Sequence, residues 1–488
     1  MQVLYSRCCG IDVHKDSVTV CVLVYSGSAE PEVRKKEFST YFKALLNLKM
    51  WLLAQKVTHV AMESTGVYWK PVWQALEGSF ELILANPYQV KGVPGRKTDA
   101  RDSQWIAELL AHGLIRPSFV PPRETRALRD LTRYRVKLTE ERNRIHNRIH
   151  KVLEDACIKL DTIASNILGA SGRAIIKAII AGQEHPDWLA DKAKGTLRGK
   201  RPELRLVLRG RITEHHKLML RELMDDLEFV ESKIERLEKA IAPQVDVEKL
   251  ARLCTIPGVD LITAWTLLSE LGSDMGVFSS PKHAASWAGL CPGNQESGGK
   301  RLSNRTRKGN RWLRRALCQA AWAATRKHNC YLAAFFYRKA GKHGIRKAIV
   351  ALAHRILVIA FCVLRDLTDY REIGGNYFDT LNPARTRDRL VRRLQRLGLE
   401  VTSKPRTDLL EGPFASGRPA KKRGRPVNAS NVQSLVNTRP KNQEFSKDRP
   451  FLICRVGVVL LLIARGTEDR SCEPWHLPNT RLPVTGVL

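Results

Sequence analysis

The chain has 488 residues and a formal net charge of +33, from 82 Lys+Arg against 49 Asp+Glu, and a pI near 10.0. That balance points to a phosphate-rich partner, because each neutralised phosphate releases counterions. Hydrophobic content of 43% leaves enough apolar surface to bury several domain cores. The eleven cysteines are scattered, with no CxxC pair and no zinc-ligand spacing to histidine, so reduced thiols of a cytosolic protein are expected. The N-terminus does not have the pattern of a signal peptide. The most apolar window, 456–464, is far short of the roughly 20 residues a bilayer needs, so no membrane association is expected.

In chain order, 8–13 and 17–25 are β-rich runs joined by a short polar turn, which predicts a hairpin, and 32–39 predicts a third strand. Helical periodicity follows over 42–54. Short buried strands are expected at 59–62 and 81–84, around a helix at 67–76, and a helix at 100–112 closes the region with Thr98 or Asp99 able to cap it. Strands first, then β-α alternation, predict a mixed sheet flanked by helices. From about Arg123 apolar residues recur in threes and fours, first over 128–153 and again over 220–241. Both rows suit long helices in a hairpin or an intermolecular coiled coil, and an ordinary helical bundle explains them equally well. Residues 250–372 read as a block of small helices, 373–402 as a basic C-terminal helix, and 403–488 as a basic tail of disordered composition.

Four acids carry the chemistry in this basic background. Asp12 and Glu63 each close an apolar run, and Asp99 and Asp102 share a helix face three residues apart. Hard cations such as Mg²⁺ take oxygen ligands and pair a few carboxylates with substrate phosphate. Two such ions can activate an attacking oxygen and stabilise a leaving one. Taken alone, an acid of this set is as well explained as a helix cap or a surface charge, though less so for Asp12 and Glu63, each of which closes an apolar run.

A second feature spans 291–317. Ser297 precedes Gly298 and Gly299, whose backbones permit close approach to a ligand. Lys300, Arg301, Arg305, Arg307, Lys308 and Arg311 follow and can hold a phosphodiester or its charged transition state. Ser-Gly-Gly is also common in flexible loops, and neither a GxSxG elbow nor an adjoining histidine is present to suggest a hydrolase triad. Upstream, the Pro-Gly-Val turn predicts a helix-hairpin-helix with amides near Gly258 and Val259 facing a phosphate; a tight turn that binds nothing is the simpler alternative. In the tail, Arg423 and Arg425 sit in an RGRP string that resembles an AT-hook, an extended arm for a narrow minor groove.

Taken in order, GIDVHK, MESTGVYWKPVW, GRKTDARDSQWIAELL, LRDLTRYR, IPGVD, SWAGLCPGNQESGGK, KGNRWLRRAL and YREIGGNYFDTLNP resemble the DEDD insertion-sequence transposases related to the pilin-gene invertases. The resemblance implies an α/β, RNase H-like (RuvC-like) N-terminal domain over 1–120, with Asp12, Glu63, Asp99 and Asp102 as a tetrad for Mg²⁺ or Mn²⁺. It implies a helical or coiled-coil oligomerisation region over 121–249, and a mostly α transposase domain over 250–372 with Ser297 as nucleophile. The implied partners are double-stranded DNA, an element-encoded bridge RNA and further copies of the chain, as a dimer or tetramer, in the bacterial cytoplasm at the nucleoid. The tetrad of one subunit and Ser297 of another would then form a composite site, giving a phosphoserine link that conserves bond energy for religation. Two other readings fit the residues: a structure-selective metal-dependent nuclease that attacks with water, and a nucleic-acid-binding protein without activity.

Overall fold

The structure, a computed structural model, describes residues 2–26, 30–64, 66–86, 102–293, 295–298, 300–303, 305–306 and 308–402, with backbone alone at 295–297 and 300–303. The chain divides into two compact units, Met1–Pro122 and Arg123–Leu488.

The first unit is built on a five-stranded sheet of order β3-β2-β1-β4-β5. Strands β1 (Arg7–Val13), β2 (Ser17–Val24) and β3 (Glu32–Ser39) form an antiparallel meander, after which the chain alternates α1 (Phe42–Ala54), β4 (His59–Glu63), α2 (Trp69–Leu76) and β5 (Glu81–Ala85). Strands β4 and β5 run parallel to β1. The β-branched run of β2 is buried almost throughout, as befits a central strand, whereas β3 is largely exposed Glu, Arg and Lys, as befits an edge. One face of the sheet, with Cys9, Ile11, Val20 and Val60, packs with Leu45, Leu48 and Leu52 of α1 and with Val72 and Leu76 of α2. Each such buried aliphatic side chain contributes about 1.5–3 kcal/mol. The other face, with Cys8, Cys21 and Ala61, is covered by α3 (Asp102–Ala111) through Ile106, Ala107 and Leu110. The mixed sheet flanked by helices is therefore observed, with α3 starting at 102. The proposed caps of that helix, Thr98 and Asp99, lie outside the described residues.

In the second unit, α4 (Arg123–Asp155) and α8 (Glu214–Ile241) form an antiparallel hairpin, as the ion pairs Arg135–Glu238 at one end and Asp155–His216 at the other require. Between them α5 (Ala170–Ile180), α6 (Pro186–Asp191) and α7 (Arg201–Val207) share the same core. Ile145, Ile149 and Leu153 meet Leu220, Met224 and Leu227 there, so most of the two apolar rows packs within one chain, while Tyr134 of the first row stays exposed.

The remainder is α9 (Val247–Cys254), α10 (Leu261–Leu271), α11 (Pro281–Trp287), the hairpin β6 (Gln295–Ser297) and β7 (Lys300–Ser303), then α12 (Arg311–Thr325), α13 (Tyr331–His343), α14 (Ile345–Asp366), α15 (Tyr377–Thr380) and α16 (Pro383–Gln395). The expectation of small helices over 250–372 is corrected by α14. Its 22 residues are long and apolar enough to cross a membrane by length and composition, and they are mostly buried. Helices α9, α11, α12 and α13 pack around it, so it serves as the central core helix of this part of the unit.

Candidate catalytic sites

The end of β1 carries the first site. Strands β1 and β4 pair in parallel up to Ile11↔Met62, and the next residue on each is Asp12 and Glu63. Side chains alternate along a strand, so Asp12 shares the face of Cys8 and Gly10, and Glu63 that of Ala61. This is the face that α3 covers. Helix α3 runs antiparallel to β1. The Leu4 amide donates to Ala111 O, Cys8 Sγ contacts Ala107 O, and Gly10 lies under Ser103 and Ala107. Continuing that register brings the helix start, Asp102, toward the Asp12 end. The approach is tight enough that a Cβ on Gly10 would sit 2.1 Å from Ser103 O and 2.4 Å from Ala107 N.

Asp12 is partly exposed, and its Oδ2 lies 3.1 Å from His14 Nε2. Glu63 and Asp102 are half-buried. Ser103 Oγ, buried at the same helix start, has no hydrogen-bond partner among the described residues. Carboxylates of this kind suit a hard divalent cation, but the ligand atoms of Asp12, Glu63 and Asp102 are not gathered within 4.8 Å of one another in this structure. The fourth member of the expected tetrad, Asp99, lies outside the described residues.

A different group, His150, Glu154 and Asp161 in the second unit, brings three ligand atoms within 4.8 Å of one another. Lys159 pairs with Glu154, and the His150 hydrogen bond holds the Asp161 carboxyl below the usual carboxylate range. Ion pairing accounts for this group without a metal.

Ser297 closes β6 and pairs with Lys300 of β7 across a turn whose first residue, Gly298, is at φ +56°. Glycine is the residue that accepts this conformation without strain. The sequence therefore places a serine and a lysine at the tip of a hairpin. Gly299 and Arg307 lie outside the described residues, and only the backbones of Ser297, Lys300 and Arg301 are described. Arg305, Lys308 and Arg311 are exposed around the hairpin base. That base is closed by the Pro292↔Thr306 bridge and by the Gly293 amide donating to Arg305 O at 2.8 Å. Arg314 adds a clasp, donating to Gly289 O at 3.2 Å and to Thr306 Oγ1 at 2.8 Å.

The turn between α9 and α10 corrects one expectation. The Val259 amide donates to Ile256 O at 3.0 Å and the Val259 side chain is buried, so this amide does not face a phosphate. Gly258, at φ +90°, is pressed onto α12, where a Cβ would lie 2.2 Å from Ala320 O. Packing against α12 explains the glycine. Arg423 and Arg425 lie outside the described residues.

Sequence reasoning missed Glu270, a fully buried carboxylate on α10 held by Arg129 and Arg133 of α4. Its signal was available, since it is the one acid inside the apolar run 261–271.

Asp12 and Glu63 stand at the ends of two paired strands in a chain of net charge +33, and the known proteins that this chain resembles are transposases. Residues 9–158 match the IS110-type DEDD transposase family, and residues 250–338 match the transposase IS116/IS110/IS902 family. The chain is 26% identical over 364 residues to a transposase for insertion sequence element IS1328 of Yersinia enterocolitica, covering 72% of this chain and 95% of that protein. It is 28% identical over 274 residues to a "Probable family 20 transposase" of Pseudomonas aeruginosa, covering 55% of this chain and 71% of that protein. A Thermus thermophilus RuvC structure aligns at 14% identity with a TM-score of 0.19, covering 23% of this chain and 99% of that one; the fold description rests on the sheet order instead. Over these two segments the chain is similar to the IS110/IS116-type DEDD transposases.

Proposed function

We propose that the protein excises and inserts an insertion sequence by cutting and rejoining DNA through a phosphoserine link at Ser297. The observation that supports this reading is the placement of Asp12 and Glu63 at the paired ends of β1 and β4, on the sheet face that α3 covers, in a chain that matches transposase families over residues 9–158 and 250–338. Asp12, Glu63, Asp99 and Asp102 would hold Mg²⁺ or Mn²⁺, which supplies charge neutralisation at the scissile phosphate when bound. The carboxylates orient it, and His14 fixes the Asp12 carboxylate by its hydrogen bond.

Ser297 Oγ gives up its proton and attacks phosphorus. The Oγ–P bond forms, the bond from phosphorus to one deoxyribose oxygen breaks, and that oxygen leaves with a proton. Religation reverses the step with the oxygen of a different strand, so no external energy source is needed. Lys300, Arg301, Arg305, Arg307, Lys308 and Arg311 would neutralise the developing charge. Gly298 supplies a turn with little side-chain bulk for a backbone phosphate to reach the serine, and the glycine that follows it in sequence adds none. Sequence choice would come from a bridge RNA pairing with donor and target DNA, with the protein reading backbone charge and shape. Assembly as a homodimer or homotetramer belongs to the same reading.

A covalent-trapping assay tests it. Full-length protein, Mg²⁺, RNA transcribed from the element's flanking non-coding DNA and a labelled junction duplex are incubated, denatured and resolved. A protein–DNA adduct that needs Ser297, Asp12 and the RNA is the expected result. Cut DNA without linked protein would overturn the serine step and leave a metal-dependent nuclease attacking with water. Neither cutting nor linkage, with binding retained, would leave a nucleic-acid-binding protein.

A further inference from the structure

We infer that Glu270 is a positioning residue for the hairpin that carries Ser297, an inference that rests on Ser297 as the nucleophile. Glu270 sits near the end of α10 with its carboxylate fully buried. Arg133 grips it with two parallel bonds, Nε to Oε1 at 2.7 Å and Nη2 to Oε2 at 2.8 Å. Arg129 Nε lies 3.3 Å from Oε2 while also donating to Ser269 O at 2.9 Å. The remaining contact comes from the hairpin side, where Asn310 Nδ2 donates to Oε2 at 2.6 Å.

Asn310 does three things at once. Its Oδ1 caps α12 by accepting from the Trp312 and Leu313 amides, its Nδ2 reads Glu270, and its own amide donates to Trp287 O at 3.2 Å. Trp287 is the last residue of α11 and Asn310 the N-cap of α12, so the Asn310 backbone amide joins the two ends of 288–309 while its side chain ties that junction to Glu270. The two arginines extend the grip. Arg129 lies 5.7 Å from the Trp287 ring centre before the loop, and Arg133 lies 6.0 Å from that of Trp312 after it. At the neck, a Cβ on Gly309 would sit 2.3 Å from the Gly289 amide, so the two arms of the loop cross in contact.

Packing alone does not call for this arrangement. A buried ion pair costs desolvation at each charge, and apolar side chains of similar volume often hold such a site as well or better. What the charges supply is direction: a bidentate arginine fork fixes the carboxylate plane, and the carboxylate fixes the Asn310 amide. The hub thus sets the angle at which the hairpin leaves the helical body, and with it the placement of Ser297 against a phosphate. A misplacement of about 1 Å can cost roughly 10²-fold in rate.

Asn310→Ser tests this, because a serine keeps an N-cap oxygen but is too short to reach Glu270. Arg133→Lys is the second variant, keeping the charge but losing the fork. Each is read in the full-length protein for melting temperature, affinity for the labelled junction duplex, rate of adduct formation at saturating DNA, and amide hydrogen exchange over 291–306. Expected are an unchanged affinity, an adduct rate lowered on the order of 10²-fold for Asn310→Ser, and faster exchange confined to 291–306. Arg133→Lys is expected to move both readouts in the same direction, and it alone decides if Asn310→Ser fails to fold. Wild-type adduct rates in the folded variants would overturn the inference. If the wild type itself gives no adduct, the serine reading fails, and exchange decides separately. Unchanged exchange over 291–306 then overturns the hub's hold on the hairpin, and faster exchange sustains it.

Discussion

Asp12 and Glu63 occupy adjacent positions on parallel strands, and a carboxylate-to-amide change at either keeps shape while removing a charged oxygen ligand. Asp12→Asn and Glu63→Gln are each expected to lower DNA cleavage by on the order of 10²–10³-fold, the rate equivalent of several kcal/mol of lost metal-borne charge stabilisation. Duplex binding should persist, and a gel-shift beside the cleavage assay separates the two. Another single residue contributes to the pH response. Burial, and then the neighbouring Arg355, depress the His354 imidazole below its ordinary value of 6.5. An imidazole with a depressed folded value takes up its proton more readily when unfolded, so its stabilising contribution is complete above pH 6.5 and is lost as the pH falls through the lowered folded value. His146 on α4 is depressed by burial, His150 and Arg142, and acts in the same direction. The melting temperature is therefore expected to fall on acidification below about 6.5, and His354→Gln should flatten part of that fall. A melting curve as steep in the variant as in the wild type would remove His354 from the account.

The strand–helix contact at Gly10 governs the site from the level of elements. A methyl there would enter the backbone of α3, so Gly10→Ala must push the helix off the sheet. Overpacking of this kind costs about 1–3 kcal/mol, and because α3 begins at Asp102, the acids should separate as well. The expected result is a lowered melting temperature together with a loss of cleavage larger than the stability loss explains, measured at a temperature where the variant is folded. The sequence made this sheet legible because β1, β2, β4 and β5 are compact apolar runs whose lengths match strands, and α1 has clear helical spacing. Helix α14 was harder, since an apolar pattern on nearly every side carries no amphipathic edge to mark its extent. The β6/β7 hairpin and the partners of Glu270 were not legible, although the acid itself stands out inside an apolar run. Arg129, Glu270 and Asn310 come from three distant segments, and nothing local marks a long-range ion pair. At the 258–259 turn, local glycine chemistry suggested a ligand, whereas the reason for Gly258 is helix α12, more than sixty residues downstream.

For the whole molecule, the charge of +33 should dominate affinity for DNA while carrying no sequence preference. Affinity is expected to fall linearly on a log–log plot against salt, with a slope near −0.9 for each phosphate neutralised. Exposed cations at the hairpin base can be told from bulk charge by this slope. Lys308 and Arg311 are both exposed there, and Arg311 lies 4.6 Å from the Trp312 ring centre, which orients it. If Lys308 meets a phosphate, Lys308→Ala should reduce the magnitude of the slope by about 1 and weaken binding equally for cognate and unrelated duplexes. Asp12→Asn provides the control, because losing a metal ligand removes no phosphate contact made by a basic side chain, and its slope should match the wild type. Fluorescence anisotropy across a salt series measures both. An unchanged slope in Lys308→Ala would place the residue away from the backbone and shift the electrostatic footprint to other surfaces, of which α16, with Arg392, Arg393 and no buried residue, is the most basic helix at hand.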